Sequence, residues 1–134
     1  MNKVSKNHIA YFFDCAYSVL GLSLQDIQKR HATSNPNLIK FEDREDKVLE
    51  LSCEHFTLSC MMNEKGECEV AYLLLNQLEE LDTVRQIIKY CNKKYPYSYL
   101  LKIWIKGESS IDLRIINQSV LFALCKIDKP ILDL

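Results

Sequence analysis

The stretch Phe56–Leu75, FTLSCMMNEKGECEVAYLLL, decides how this chain folds. Two apolar runs flank Asn63-Glu64-Lys65-Gly66, the signature of a β-hairpin. A three-residue loop Glu64-Lys65-Gly66, with Gly66 in the left-handed conformation that glycine adopts cheaply, sets Asn63 opposite Glu67. Continued without interruption, that register pairs Met62 with Cys68, Cys60 with Val70, Leu58 with Tyr72 and Phe56 with Leu74. One more loop residue would set Met62 against Glu67 and scramble both faces, because side chains alternate strictly along a strand.

The composition around this hairpin is that of one soluble domain spanning residues 1–134. Apolar residues make up 48% and charged residues 26%, enough to build a core and too apolar for disorder. A net charge of −1 offers no overall field to attract nucleic acid or an anionic membrane. No apolar run reaches the roughly 18 residues that span a bilayer. The N-terminal MNKVSKNHIAYFFDC places lysines before an apolar patch, but His8, Asp14 and the lack of an Ala-x-Ala-like site argue against a cleaved signal. A cytoplasmic location is therefore expected. The six cysteines (Cys15, Cys53, Cys60, Cys68, Cys91, Cys125) all sit inside apolar segments without Cys-x-x-Cys spacing, so they read as reduced core thiols.

Upstream, residues 5–20 carry Ile9, Phe12, Phe13, Ala16 and Leu20 at helical spacing, with Ser5 as cap and Gly21 as stop. A second helix opens at Ser23 with a capping-box pattern and fades before Pro36. Helix, turn and helix could suggest DNA reading, yet only Lys29, Arg30 and His31 are basic there, and a packed hairpin explains the same pattern. Leu38–Glu42 and Val48–Cys53 alternate as strands. From Phe56 the apolar phase flips, which requires a turn or a bulge around Glu54-His55; a two-residue turn there sets Cys53 opposite Phe56, Leu51 opposite Leu58 and Leu49 opposite Cys60.

Downstream, a helix over 78–94 shows the stripe Leu81, Val84, Ile88, Cys91 and Tyr95, flanked by Leu78 and Ile87, with acids at its start and lysines at its end. Tyr97–Lys106 alternates as one strand. A three-residue loop Gly107-Glu108-Ser109 would set Ile105 against Ile111 and Ile103 against Leu113. Asn117 can cap a last helix over 118–127. The expected fold is therefore α+β: an antiparallel or mixed sheet of five or six strands packed by helices in two layers, in the order αα-ββββ-α-ββ-α. In element order alone the chain resembles the small dimeric chaperones of secretion systems. It adds an N-terminal helix and a strand, and lacks their acidity.

Chemical motifs are sparse. Cys53-Glu54-His55 puts neighbouring strand residues on opposite faces, which works against a catalytic dyad. Three scattered histidines form no metal-ligand pair, and no glycine-rich phosphate loop occurs, so no metal or cofactor is expected. The aromatic run Tyr95-Pro96-Tyr97-Ser98-Tyr99 with Trp104 could stack a base or a sugar, but suits a core edge or a protein contact better. Alternation places Met61, Ala71, Leu73, Leu75, Leu100, Trp104 and Ile116 on the sheet side opposite the main apolar set. That face is covered either by the chain's own helices or by another molecule. The functional expectation is a non-enzymatic interaction module, adaptor- or chaperone-like, that holds a protein partner or a second copy through Met61, Leu73, Leu75, Leu100, Trp104 and Ile116. Its alternative is a small enzyme or ligand-binding domain with a site assembled only in three dimensions.

Overall fold

The computed structural model describes residues 6–40, 47–53, 56–75, 81–116 and 119–127. Helix α1 (Lys6–Val19) and α2 (Leu24–Arg30) precede four strands, β1 (Asn37–Lys40), β2 (Lys47–Ser52), β3 (Phe56–Met62) and β4 (Cys68–Leu75). Helix α3 (Leu81–Lys94) then leads to β5 (Tyr97–Ser98), β6 (Ile103–Lys106), β7 (Ser109–Ile116) and β8 (Ser119–Lys126). All eight strands form one antiparallel sheet in the order β1-β2-β3-β4-β8-β7-β6-β5. The fold is thus two four-stranded meanders joined through their last strands, β4 and β8.

This corrects the expected five or six strands and the order ending in a helix. Residues 119–126 form the central strand β8, where Leu121, Phe122, Ala123 and Leu124 are all buried. A short apolar run buried on both faces has no period to separate helix from strand, which is why residues 118–127 read equally well as a helix. The expected caps Ser5, Asn76 and Asn117, the turn Glu54-His55 and the segment 41–46 lie outside the described residues.

The β2–β3 register is as expected, with Leu49 opposite Cys60 and Leu51 opposite Leu58, and the Cys53 N–H donates to the Phe56 carbonyl at 2.9 Å. The β3–β4 loop also closes as expected: Gly66 has φ +78, and the Asn63 N–H donates to the Glu67 carbonyl at 2.8 Å. Asn63 Oδ1 additionally accepts from the Lys65 and Glu67 N–H groups, an Asx turn that locks the loop. Beyond Met62–Cys68, however, a bulge leaves Glu69 without a partner and moves the register by one. Cys60 then meets Ala71, Leu58 meets Leu73 and Phe56 meets Leu75. Ala71 and Leu73 are fully buried, while Val70 and Tyr72 turn to the opposite face. Because β4 is apolar on both faces, alternation could not reveal this. The bulge sits where the α1–α2 link docks: Gly21 N–H donates to the Cys68 carbonyl, and Cys68 N–H donates to the Leu22 carbonyl, both at 2.9 Å.

The β6–β7 register also differs by one. Gly107 at φ +59 opens a two-residue turn, the Gly-x pattern of a type II′ hairpin, so Trp104 rather than Ile105 faces Ile111. These registers draw one continuous row across six strands, Leu49–Cys60–Ala71–Leu124–Ile111–Trp104, every member buried. A second row, Leu51–Leu58–Leu73–Phe122–Leu113, runs beside it.

Helices cover this inner face. Phe12 packs on Phe56 at 4.5 Å between ring centroids, Phe13 meets Phe122 edge-on at 6.1 Å, and Phe13 stacks on Tyr90 of α3. Ile9, Phe12, Phe13, Ala16 and Leu20 are all buried, as their spacing requires. On α3 the buried line is Thr83, Ile87 and Cys91, with Val84, Ile88 and Tyr95 flanking it, so the stripe is rotated slightly from the expected one. α1 has no basic residue in its last turn. The sheet supplies cations instead: Lys106 lies over the Tyr17 ring at 4.3 Å, and the Lys126 ammonium lies beside Gly21.

The bulged register has a direct test in urea denaturation. Leu73→Ala is expected to cost about 2–5 kcal/mol, as deletion from a filled core does, whereas Val70→Ala on the outer face costs less than about 1.5 kcal/mol. The reverse ranking would restore the uninterrupted register.

Candidate functional site

The expected interface residues do not share a face. Met61 is half-buried on the outer face, opposite Val48 and Val70. Leu73 lies in the core, and Leu75 is half-buried on the same inner side, packed against the core. Trp104 is inner and only 5% exposed, and Leu100 projects from the turn between β5 and β6 at 77% exposure. Ile116 ends β7, and its side chain is outside the described residues.

What the structure assembles instead is an open cleft of about 790 Å³, lined by Ile88, Asn92, Tyr95 and Pro96 from the α3 end, Tyr97, Tyr99, Lys102 and Trp104 from the next hairpin, and Asp112 and Leu113 from β7. Its origin is local. The Lys102 N–H donates to the Ser98 carbonyl at 2.7 Å, and the Leu101 N–H donates to Ser98 Oγ at 3.2 Å. Lys102 itself takes φ +59, a left-handed conformation that costs a lysine conformational energy. This tight turn breaks the expected single strand 97–106 into β5 and β6 and starts β6 only at Ile103. The line in front of β6, alongside the rest of β7, is thereby left open.

Aromatic rings furnish the walls. Tyr97 meets Trp104 edge-on at 5.4 Å and Tyr99 at 5.1 Å, so Trp104, Tyr97 and Tyr99 form a ladder from the buried floor to an 86% exposed tip. Trp104 Nε1–H donates to Asn92 Oδ1 at 2.8 Å, which satisfies the indole and fixes its plane. Burial, followed by the neighbouring Tyr90, pushes the Tyr95 phenol up, so it stays neutral. Asp112 is ion-paired with Arg114 at 2.9 Å. Fixed aromatic rings and one paired carboxylate suit binding.

Of these residues, the sequence singles out the run Tyr95-Pro96-Tyr97-Ser98-Tyr99 with Trp104, which reads as a core edge or a protein contact rather than a stacking site. It does not single out Asn92 or Asp112. A polar residue on the helix end nearest a tryptophan was the available signal for Asn92, because a buried indole N–H needs an acceptor.

The thiols behave differently from catalytic ones. Cys15, Cys60, Cys68 and Cys91 are buried, and Cys53 and Cys125 half-buried. Burial pushes Cys15 and Cys53 up, and a thiol hydrogen bond with Cys68 followed by burial raises Cys60 strongly. Such groups are neutral at physiological pH, the opposite of an activated nucleophile. Burial and then Arg30 hold His31 below its usual range, so it too is neutral. Among the described residues no group of three His, Cys, Asp or Glu is placed to hold a metal ion, and no helix is long and apolar enough to cross a membrane. Comparison with family models, with curated proteins and with solved structures gave no match.

The buried thiols also set a pH response. Burial pushes Cys91 from its ordinary 9.0 up to about 12. A raised folded-state value means that the native state holds the proton more tightly than the unfolded chain. Its contribution is therefore complete below pH 9.0 and is lost as the pH rises towards about 12. The urea midpoint is expected to fall over that window, and Cys91→Ala to reduce the slope; an unchanged slope would mean that Cys91 does not titrate with unfolding.

Proposed function

We propose that this chain is a non-enzymatic interaction module that holds a segment of a partner protein in the aromatic cleft. The observation that carries this reading is the Trp104–Tyr97–Tyr99 ladder, which ends in a large aromatic ring exposed at the mouth of a preformed cleft. Amphipathic aromatics arranged in this way supply contact area at low entropic cost, as interface anchors do. The neutral thiols support binding over catalysis. Trp104 is the chain's single tryptophan, so its emission reports occupancy of the cleft directly. Peptides selected from a random display library on the whole chain are expected to shift that emission saturably. They are expected to bind Tyr99→Ala at least about tenfold more weakly, the loss of one anchor side chain. Selected peptides that leave the emission unchanged and bind Tyr99→Ala as tightly as the unaltered chain would overturn the reading.

Self-association is a second reading, favoured by one observation. The outer face carries the row Val48–Met61–Val70–Cys125–Ser110–Ile105, and Ile39 extends it onto β1. The described helices pack on the other side, so this row, half-buried and apolar except at the buried Ser110, is a strip that a second copy would cover. Light scattering is expected to give a dimer that Met61→Glu converts to a folded monomer. A chain that stays monomeric at high concentration would remove this reading and leave the cleft untouched.

A further inference from the structure

The open line in front of β6 has a chemical identity of its own. β6 pairs with β7 only from Trp104–Ile111 to Lys106–Ser109, whereas β7 runs on to Ile116 along β8. Among the described residues, no strand lies against the outward edge of β7 beyond Ile111. Which backbone groups that edge presents follows from one hydrogen bond. The Ile105 N–H donates to the Pro96 carbonyl at 2.8 Å, so the Ile105 backbone faces β5 and that of Trp104 faces β7. In an antiparallel ladder the Ile111 backbone then faces β6, and by alternation so do the Leu113 and Ile115 N–H and C=O groups. The Leu113 groups open onto the cleft, because Asp112 and Leu113 line it from the two faces of β7, and the Ile115 groups lie farther along the same edge. Ile115 itself is 73% exposed.

We infer that the cleft binds its partner by strand addition: an extended acidic peptide with large apolar side chains at alternate positions pairs with β7 at Leu113 and Ile115 and continues the line of β6. This rests on the cleft reading given above and specifies its occupant. A free strand edge accepts an extended backbone, and alternate side chains then fall towards the Tyr95, Trp104 and Leu113 side, as in other strand-addition sites. The charge preference comes from the walls. Residues 88–106 contain Lys89, Lys93, Lys94, Lys102 and Lys106 and no acid. Lys106 is occupied with Asp14 at 3.8 Å and the Tyr17 ring, while Lys89, Lys93, Lys94 and Lys102 are exposed. Asp112, the cleft's own carboxylate, is already paired with Arg114. Of these lysines Lys102 lines the cleft, and glutamates between the apolar residues of a peptide meet its exposed side chain. A left-handed Lys102 also keeps chain 99–102 from extending over the same edge and occupying it.

The test uses the whole chain and a capped peptide of about eight residues alternating Phe or Val with Glu, long enough for one added strand. Binding is followed by Trp104 emission, and backbone pairing by amide exchange. Saturating peptide is expected to slow exchange of the Leu113 and Ile115 amides by at least about tenfold. Ile115→Pro deletes an outward N–H and leaves the β7–β8 ladder intact, since only N–H groups facing away from a ladder can be spared. It is expected to fold normally and to bind at least about tenfold more weakly, the loss of one backbone hydrogen bond with some pairing geometry. N-methylation of one alternate set of peptide residues is expected to abolish binding while the other set tolerates it, and a peptide with Lys in place of Glu is expected to bind more weakly. If Trp104 emission responds but the Leu113 and Ile115 amides exchange freely and Ile115→Pro binds normally, strand addition is overturned and the cleft reading stands. If the peptide produces neither response, this occupant is wrong, and only the library selection then decides whether the cleft binds at all.

Discussion

The pairing of β4 with β8 is the constraint on which the rest of the molecule depends. Each of these strands closes a meander that is otherwise stitched by short turns, and each is apolar on both faces. Leu73 against Phe122 and Ala71 against Leu124 bring the two inner rows into register across the centre of the sheet. Without that contact the first meander would lack a floor beneath the far side of α1, and the second would have nothing to hold Ile111 and Trp104 in line with Cys60 and Leu49. Phe13 makes the dependence concrete, because it touches Phe122 of the second meander and Tyr90 of α3 from a helix that belongs to the first.

Local signals in the chain were legible where a turn left a chemical trace. The flip of apolar phase at residues 53–56 predicted the β2–β3 register residue for residue, and Gly66 with Asn63 predicted the loop that follows. Failures came where both faces of a strand are apolar. In β4 the bulge at Glu69 exchanged Val70 and Tyr72 for Ala71 and Leu73, and the cause lies far away in sequence, in the hydrogen bonds of Cys68 to Gly21 and Leu22. In β8 no period distinguished helix from strand, so only the vacancy between β4 and β7 could decide. At Gly107 a two-residue turn, one residue shorter than the expected loop, turns Trp104 inward.

The cleft was half legible for a related reason. Its aromatic residues stand together in sequence and were visible as a run, but they read as an unbroken strand. The hydrogen bonds of Ser98 with residues 101 and 102, and the left-handed Lys102, fold that run back on itself and convert a ladder of side chains into the wall of a cavity. Asp112 and Leu113 reach the cleft only because β7 outlasts β6, a property of strand lengths that no single segment announces.

The meander arrangement has a consequence for how the chain reaches this state. Hairpins such as β2–β3 and β7–β8 join near neighbours and close on fast timescales, but β4 must wait for a partner separated from it by α3 and three other strands. During synthesis β4 leaves the ribosome well before β8 exists. Over that interval the first meander carries Val70 to Leu74 as an open, apolar, unpaired edge, the type of surface that invites intermolecular pairing. The joint that makes the finished sheet continuous is thus also the point at which the growing chain is most vulnerable to aggregation.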